Sequence, residues 1–92
     1  MNRVVLWSPT VRYKLSQFRS ERFTPEETYD FISHFILETE VILTNPIIGK
    51  AYTEESGTYV GLSRIVVKRF RIFFEQQENE VWIVALLFPG EK

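Results

Sequence analysis

The sequence predicts an α+β fold with the element order β-α-α-β-β-β, in which a helical hairpin lies over one face of a four-stranded sheet. Three observations predict it. Ser8-Pro9 and Thr24-Pro25 each place a capping hydroxyl before a proline at the first helical position, and each opens an amphipathic stretch. Residues 58–67, 70–76 and 81–88 are three runs rich in β-branched and aromatic residues, separated by short polar breaks as in an antiparallel meander. A fourth such run, Val4-Val5-Leu6-Trp7, stands directly before the first cap.

The first helix follows from Val11, Leu15 and Phe18 at i, i+4 and i+7, with Arg12, Lys14, Gln17 and Arg19 mostly on other faces; it is expected to end near Glu21. Thr24-Pro25-Glu26-Glu27 reads as a capping box, the Thr hydroxyl accepting from the Glu27 amide while the Glu27 carboxylate reaches back. From there Phe31, Ile32, Phe35, Ile36, Ile42 and Leu43 make a broad apolar stripe that ends at Asn45-Pro46. Residues 46–57, with Gly49, Glu54-Glu55 and Ser56-Gly57, lack periodicity and read as a surface connection able to dock Tyr52. The last run, from Val81 to Phe88, shows no alternation, so both of its faces should be covered and it should be an interior strand.

With 92 residues there is room for one core, so residues 1–92 are read as one domain. Eight Phe, four Tyr and two Trp let that core be dense without staples, and the absence of Cys removes disulfides, thiolate metal sites and thiol redox chemistry. The opening residues are too short and too polar for a signal peptide or a membrane span, so a cytoplasmic protein with no membrane contact is expected. His34 has Asp30 and Glu38 at i−4 and i+4, but with no second His and no Cys this reads as a solvated ion pair; no metal and no cofactor are expected. Trp7 and Trp82 sit in apolar strands and read as packing residues in preference to base-stacking platforms. Among Tyr13, Tyr29, Tyr52 and Tyr59 no spacing picks out a general acid, and Gly49, Gly57 and Gly61 have no phosphate-loop spacing.

A formal net charge of −1 argues against bulk attraction of nucleic acid, but the charge is unevenly placed. Between Gly57 and Phe74 the charged residues are Arg64, Lys68, Arg69 and Arg71, with no acid among them. If Lys68-Arg69 is a two-residue turn, Val67 pairs with Phe70, Val66 with Arg71 and Arg64 with Phe73. Arg64 and Arg71 then share a face with Val66 and Phe73, roughly 7–8 Å apart at Cβ, while Ile65, Ile72 and Phe74 face the core. A three-residue turn would put the arginines on opposite faces, and Lys68-Arg69 lacks the Gly or Asn that a two-residue turn prefers. Two readings of the face stand side by side: solvated arginines with stems along the sheet, or a binding face for carboxylates or phosphates.

Val5-Leu6-Trp7-Ser8-Pro9, the helical pair, Asn45-Pro46 followed by Gly49, and the run from Arg64 to Phe74 together resemble the pattern of the ParE/RelE superfamily, the toxins of type II toxin–antitoxin (plasmid stabilisation) systems. The resemblance spans nearly the whole chain. It implies a helical hairpin on a curved, mainly antiparallel sheet, and neutralisation by a cognate antitoxin that wraps the toxin; DNA contact would come only indirectly, through the antitoxin. An exposed apolar groove beside the basic hairpin would suit an antitoxin helix.

Within the superfamily, RelE-like members cleave messenger RNA on the ribosome and ParE-like members poison DNA gyrase. Cleavage through the RNA 2′-hydroxyl needs a base, cations for the phosphorane and an acid for the leaving group. Arg71 matches the arginine of the corresponding RelE-like strand, and Lys68 or Arg69 could hold phosphate. The basic and tyrosine residues that usually follow the last RelE-like strand are missing from Pro89-Gly90-Glu91-Lys92. The expectation is therefore a ParE-like gyrase poison acting by binding. Arg64, Lys68, Arg69, Arg71 and Phe73 are its target or antitoxin contact, and no catalytic residue is assigned. A ribosome-dependent endoribonuclease and an inactive interaction domain of the same fold are the alternatives.

Overall fold

The computed structural model describes residues 3–45 and 51–92. The chain runs β1 (Val4–Trp7), α1 (Pro9–Ser16), α2 (Pro25–Thr44), β2 (Tyr52–Thr53), β3 (Ser63–Val67), β4 (Phe70–Gln77) and β5 (Glu80–Leu87). The α+β class stands, with two helices and one sheet. The sheet has five strands in the order β1-β5-β4-β3-β2, not four, because Tyr52–Thr53 adds a short edge strand antiparallel to β3. It is mixed: β1 runs parallel to β5 and the other pairs are antiparallel. Pro46 and Gly49, two positions of the ParE/RelE-like pattern, lie outside the described residues, as does the first part of the connection expected over 46–57.

Both caps form as their chemistry requires. Ser8 accepts from the Val11 amide at 3.2 Å. Thr24 accepts from the Glu27 amide at 3.1 Å and the Glu27 carboxylate accepts from the Thr24 amide at 2.8 Å, completing the capping box. The first helix stops at Ser16, about one turn before Glu21. Gln17 and Phe18 tighten the end by donating to Lys14 and Leu15, and Arg19 donates to the carbonyls of Ser16 and Phe18, which ends the need for another helical turn. That early stop lets Phe18 turn into an aromatic cluster, its ring 5.2 Å from both Phe70 and Phe88 and 5.8 Å from Phe31. The second helix ends at Asn45, which is extended as the residue before a proline tends to be.

The helices cover one face of the sheet. Val11, Leu15, Phe35 and Leu43 meet Val67, Phe70, Ile72, Phe74, Val81, Ile83 and Leu86, all buried. Trp7 joins this layer edge-on to Phe35 and donates from Nε1 to Glu40 at 2.9 Å. The interior position of β5, between β1 and β4, agrees with its lack of alternation. A register shift at Phe73/Phe74 leaves Val84 as an extra residue on β5, so Ile83 and Leu86 both face the helices. Ile42, expected in the apolar stripe of the second helix, is 38% exposed, and Leu37 and Val41 on the same helix are exposed as well. No helix among the described residues is long and apolar enough to cross a membrane.

Candidate functional site

The hairpin of β3 and β4 has the register of the two-residue turn: Val67 opposite Phe70, Val66 opposite Arg71, Ile65 opposite Ile72 and Arg64 opposite Phe73. The turn residues, Lys68 (φ 49°) and Arg69 (φ 70°), both adopt the left-handed conformation that a tight hairpin demands. Neither is Gly, Asn or Asp, so each carries about 1 kcal/mol or more of backbone strain. Both are exposed. Lys68 rests its ammonium 5.7 Å from the centre of the Phe31 ring, and among the described residues Arg69 makes no hydrogen bond or ion pair. A strained turn that holds two cations at the tip of a hairpin is the first component of the site.

The second is the face turned away from the helices, where Arg64, Val66, Arg71 and Phe73 lie together. The segment between β2 and β3 folds back toward this face. Glu54 donates its amide to Leu62 and accepts from the Gly61 amide, and Gly61, at φ 87°, supplies the left-handed residue that closes the loop. Glu54 thereby reaches Arg64 at 3.2 Å, while the Arg64 guanidinium lies 4.8 Å from the centre of the Tyr52 ring. Tyr59 stacks on Phe73 with centroids 4.1 Å apart.

These contacts divide the residues marked in the sequence. Arg64 has an internal anion in Glu54, which offsets the like-charge repulsion between it and Arg71 on the same face. Phe73 is 2% exposed beneath Tyr59 and presents no surface to a partner in this arrangement. Arg71 is half-buried, and Lys68 and Arg69 remain outward. Nothing local in the sequence groups Glu54, Tyr52 and Tyr59 with the arginines. The only sequence signal was the Glu54-Glu55 pair within twenty residues of a basic run, and the fold-back that joins them is a long-range event.

The third component is a shallow groove beside the turn, lined by His34, Leu37, Glu38, Val41, Ile42 and Lys68. Leu37 and Val41 are 61% and 70% exposed, and Lys68 belongs to both turn and groove. His34 donates from Nδ1 to the Asp30 carbonyl at 2.7 Å and makes no ion pair with Asp30 or Glu38. Trp82 donates to Glu80 at 3.1 Å, and no group of three or more metal-ligating side chains occurs among the described residues.

No family model and no curated protein matches the chain. The site therefore stands on its geometry: two outward cations on a strained turn, an exposed apolar groove that shares one of them, and an arginine face partly neutralised from within.

Proposed function

We propose that the chain is the toxin of a type II toxin–antitoxin module of the ParE/RelE kind, acting by binding to DNA gyrase and neutralised by a cognate antitoxin. The observation that carries the reading is the Lys68-Arg69 turn beside the Leu37/Val41 groove. Strain is kept at a hairpin tip whose two exposed side chains give the fold only one contact, Lys68 against the Phe31 ring, which is expected where the tip contacts something else. An amphipathic antitoxin helix would lay apolar residues on Leu37 and Val41 and an acid against Lys68. The helical pair over a mainly antiparallel sheet agrees with the architecture that the resemblance implies. DNA contact comes through the antitoxin, and the working compartment is the cytoplasm.

A second reading, a ribosome-dependent nuclease acting on messenger RNA, is favoured by one observation: the Glu54 carboxylate lies beside Arg64, with the Tyr52 ring against that arginine. A carboxylate base and a neighbouring arginine are two of the groups that attack by a 2′-hydroxyl requires.

The test is growth after tightly induced expression of the wild type and a Lys68→Ala/Arg69→Ala variant, both checked for folding by circular dichroism. Arrest by the wild type and growth of the folded variant is the expected result. Harmless wild-type expression at good yield overturns the toxin reading in favour of an inactive domain of this fold. Loss of supercoiling by purified gyrase then supports the binding branch, and cleavage of a reporter transcript in a translating extract supports the nuclease.

A further inference from the structure

Beyond β5 the chain turns back on itself, and its Glu91 side chain meets two donors, the Lys14 ammonium and the Phe88 amide. Lys14, on the first helix, lies 2.8 Å from Oε1 and donates to Oε2 at 2.9 Å. The Phe88 amide donates to Oε1 at 2.8 Å. Arg71, whose backbone partner on β5 is Leu87, makes no hydrogen bond or ion pair with Glu91 and adds only a weak charge effect from the neighbouring strand. The Glu91 carboxyl is accordingly held below its ordinary value, chiefly by the Lys14 hydrogen bond and then by the Phe88 amide.

These donors do not depend on Glu91 for their placement. Lys14 also donates to the Leu86 carbonyl at 2.7 Å and lies 5.1 Å from the centre of the Phe88 ring, so its ammonium is anchored with or without the carboxylate. The Phe88 amide follows the last ladder residue of β5 and has Glu91 as its acceptor. With Glu91 withdrawn, an anchored ammonium and a free amide would converge on one vacated position. We propose that Lys14 and the Phe88 amide form an anion cradle for a carboxylate side chain of a partner protein, and that Glu91 fills it as a tethered stand-in.

The present occupant argues for a carboxylate over a phosphate. Both oxygens of a planar two-oxygen group are used, one shared between ammonium and amide and the other on the ammonium alone. Because Glu91 is three residues from Phe88, it competes at a high effective concentration, and an external acid must displace it. The cradle thus restricts binding to partners that bring other contacts. It does not depend on the toxin reading.

The test uses the full chain and acetate as probe, with the Phe88 amide followed by two-dimensional NMR at constant ionic strength, chloride replacing acetate. In Glu91→Ala the amide should shift saturably, with a half-saturating acetate concentration roughly tenfold or more below that of the wild type. Adding Lys14→Met to Glu91→Ala should abolish the saturable shift, and the same spectra report whether each variant is folded. Equal response of wild type and Glu91→Ala, or no saturation in either, overturns the cradle. Saturation by inorganic phosphate with acetate inert overturns the carboxylate assignment and points to nucleic acid. None of these outcomes turns on whether expression arrests growth, so the two proposals fail separately.

Discussion

The two faces of the β3–β4 hairpin are built on different physics. Toward the helices, Val67, Phe70, Ile72 and Phe74 are at most 3% exposed, and Phe70 alone touches the rings of Phe18, Phe31, Phe35 and Phe88. Away from them, one ion pair, one cation–ring contact and one stacked ring pair hold Arg64 and Phe73, and Val66 is 61% exposed. Apolar burial is non-directional and salt-insensitive, whereas surface ion pairs are weak and screened. The covered face therefore sets stability, and the other face is free to change without unfolding the protein.

The strongest test of that division is a pair of truncations on one hairpin. Phe70→Ala should lose about 3–5 kcal/mol in urea denaturation, since it removes a fully buried ring from the centre of the aromatic cluster. Val66→Ala, on the opposite face, should stay within about 0.5 kcal/mol of wild type. Comparable losses at both positions would mean that the outer face is covered by something the division ignores.

Next in size is the turn that joins the faces. Lys68→Asn/Arg69→Gly places permissive residues in the left-handed conformation, and the double variant should gain about 1–2 kcal/mol in the same denaturation assay. It should at the same time lose any growth arrest, because the tip cations are gone. A gain in stability with loss of activity is the signature of strain retained for function. Unchanged stability would show that the turn is not strained, and unchanged arrest would move the contact elsewhere.

What the sequence made legible follows the same line. The hairpin register could be read only conditionally: a two-residue turn at Lys68-Arg69 puts Ile65, Ile72 and Phe74 on one face, but those turn residues lack the Gly or Asn that would choose it over a three-residue turn. Caps could be read because they are local: Thr24 and Glu27 are three residues apart. The fifth strand could not, since Tyr52–Thr53 is two residues long and exists only through pairing with Ser63 and Arg64. For the same reason residues 58–62, read as strand from their composition, form the loop that returns Glu54 to Arg64. Arg64 looked available and Phe73 looked like a contact residue because their neutralising and covering partners, Glu54 and Tyr59, are placed by tertiary structure.

Tyr59 offers a smaller effect that sharpens the contrast. Tyr59→Ala removes a stacked ring pair, and should cost about 0.5–1.5 kcal/mol by urea denaturation. It should also uncover Phe73, raising the binding of a hydrophobic dye to the folded protein. A loss as large as that of Phe70→Ala would make Tyr59 part of the core and Phe73 a core residue of both faces. A change near zero would mean that Phe73 is buried by its strand neighbours alone.

The smallest effect lies at the rim, where Glu91 meets Lys14 and the Phe88 amide, and it separates electrostatic from apolar support by pH. The Glu91 carboxyl is lowered from 4.5 by the Lys14 hydrogen bond first and the Phe88 amide second. A depressed folded-state value means that the unfolded chain binds the proton more readily. The contribution of Glu91 is then fully present above about pH 4.5 and is lost as pH falls through the lower folded value. With side-chain exposures of 31% for Lys14 and 37% for Glu91, solvent screening keeps the contribution small. Wild type and Glu91→Gln should therefore differ slightly in denaturation midpoint at pH 7 and converge in acid, and added salt at pH 7 should narrow the gap. Phe70→Ala should show neither dependence. A Glu91→Gln difference that persists unchanged in acid would assign the contact to geometry, with Gln failing to hold the Phe88 amide, and would remove charge from the account of the rim.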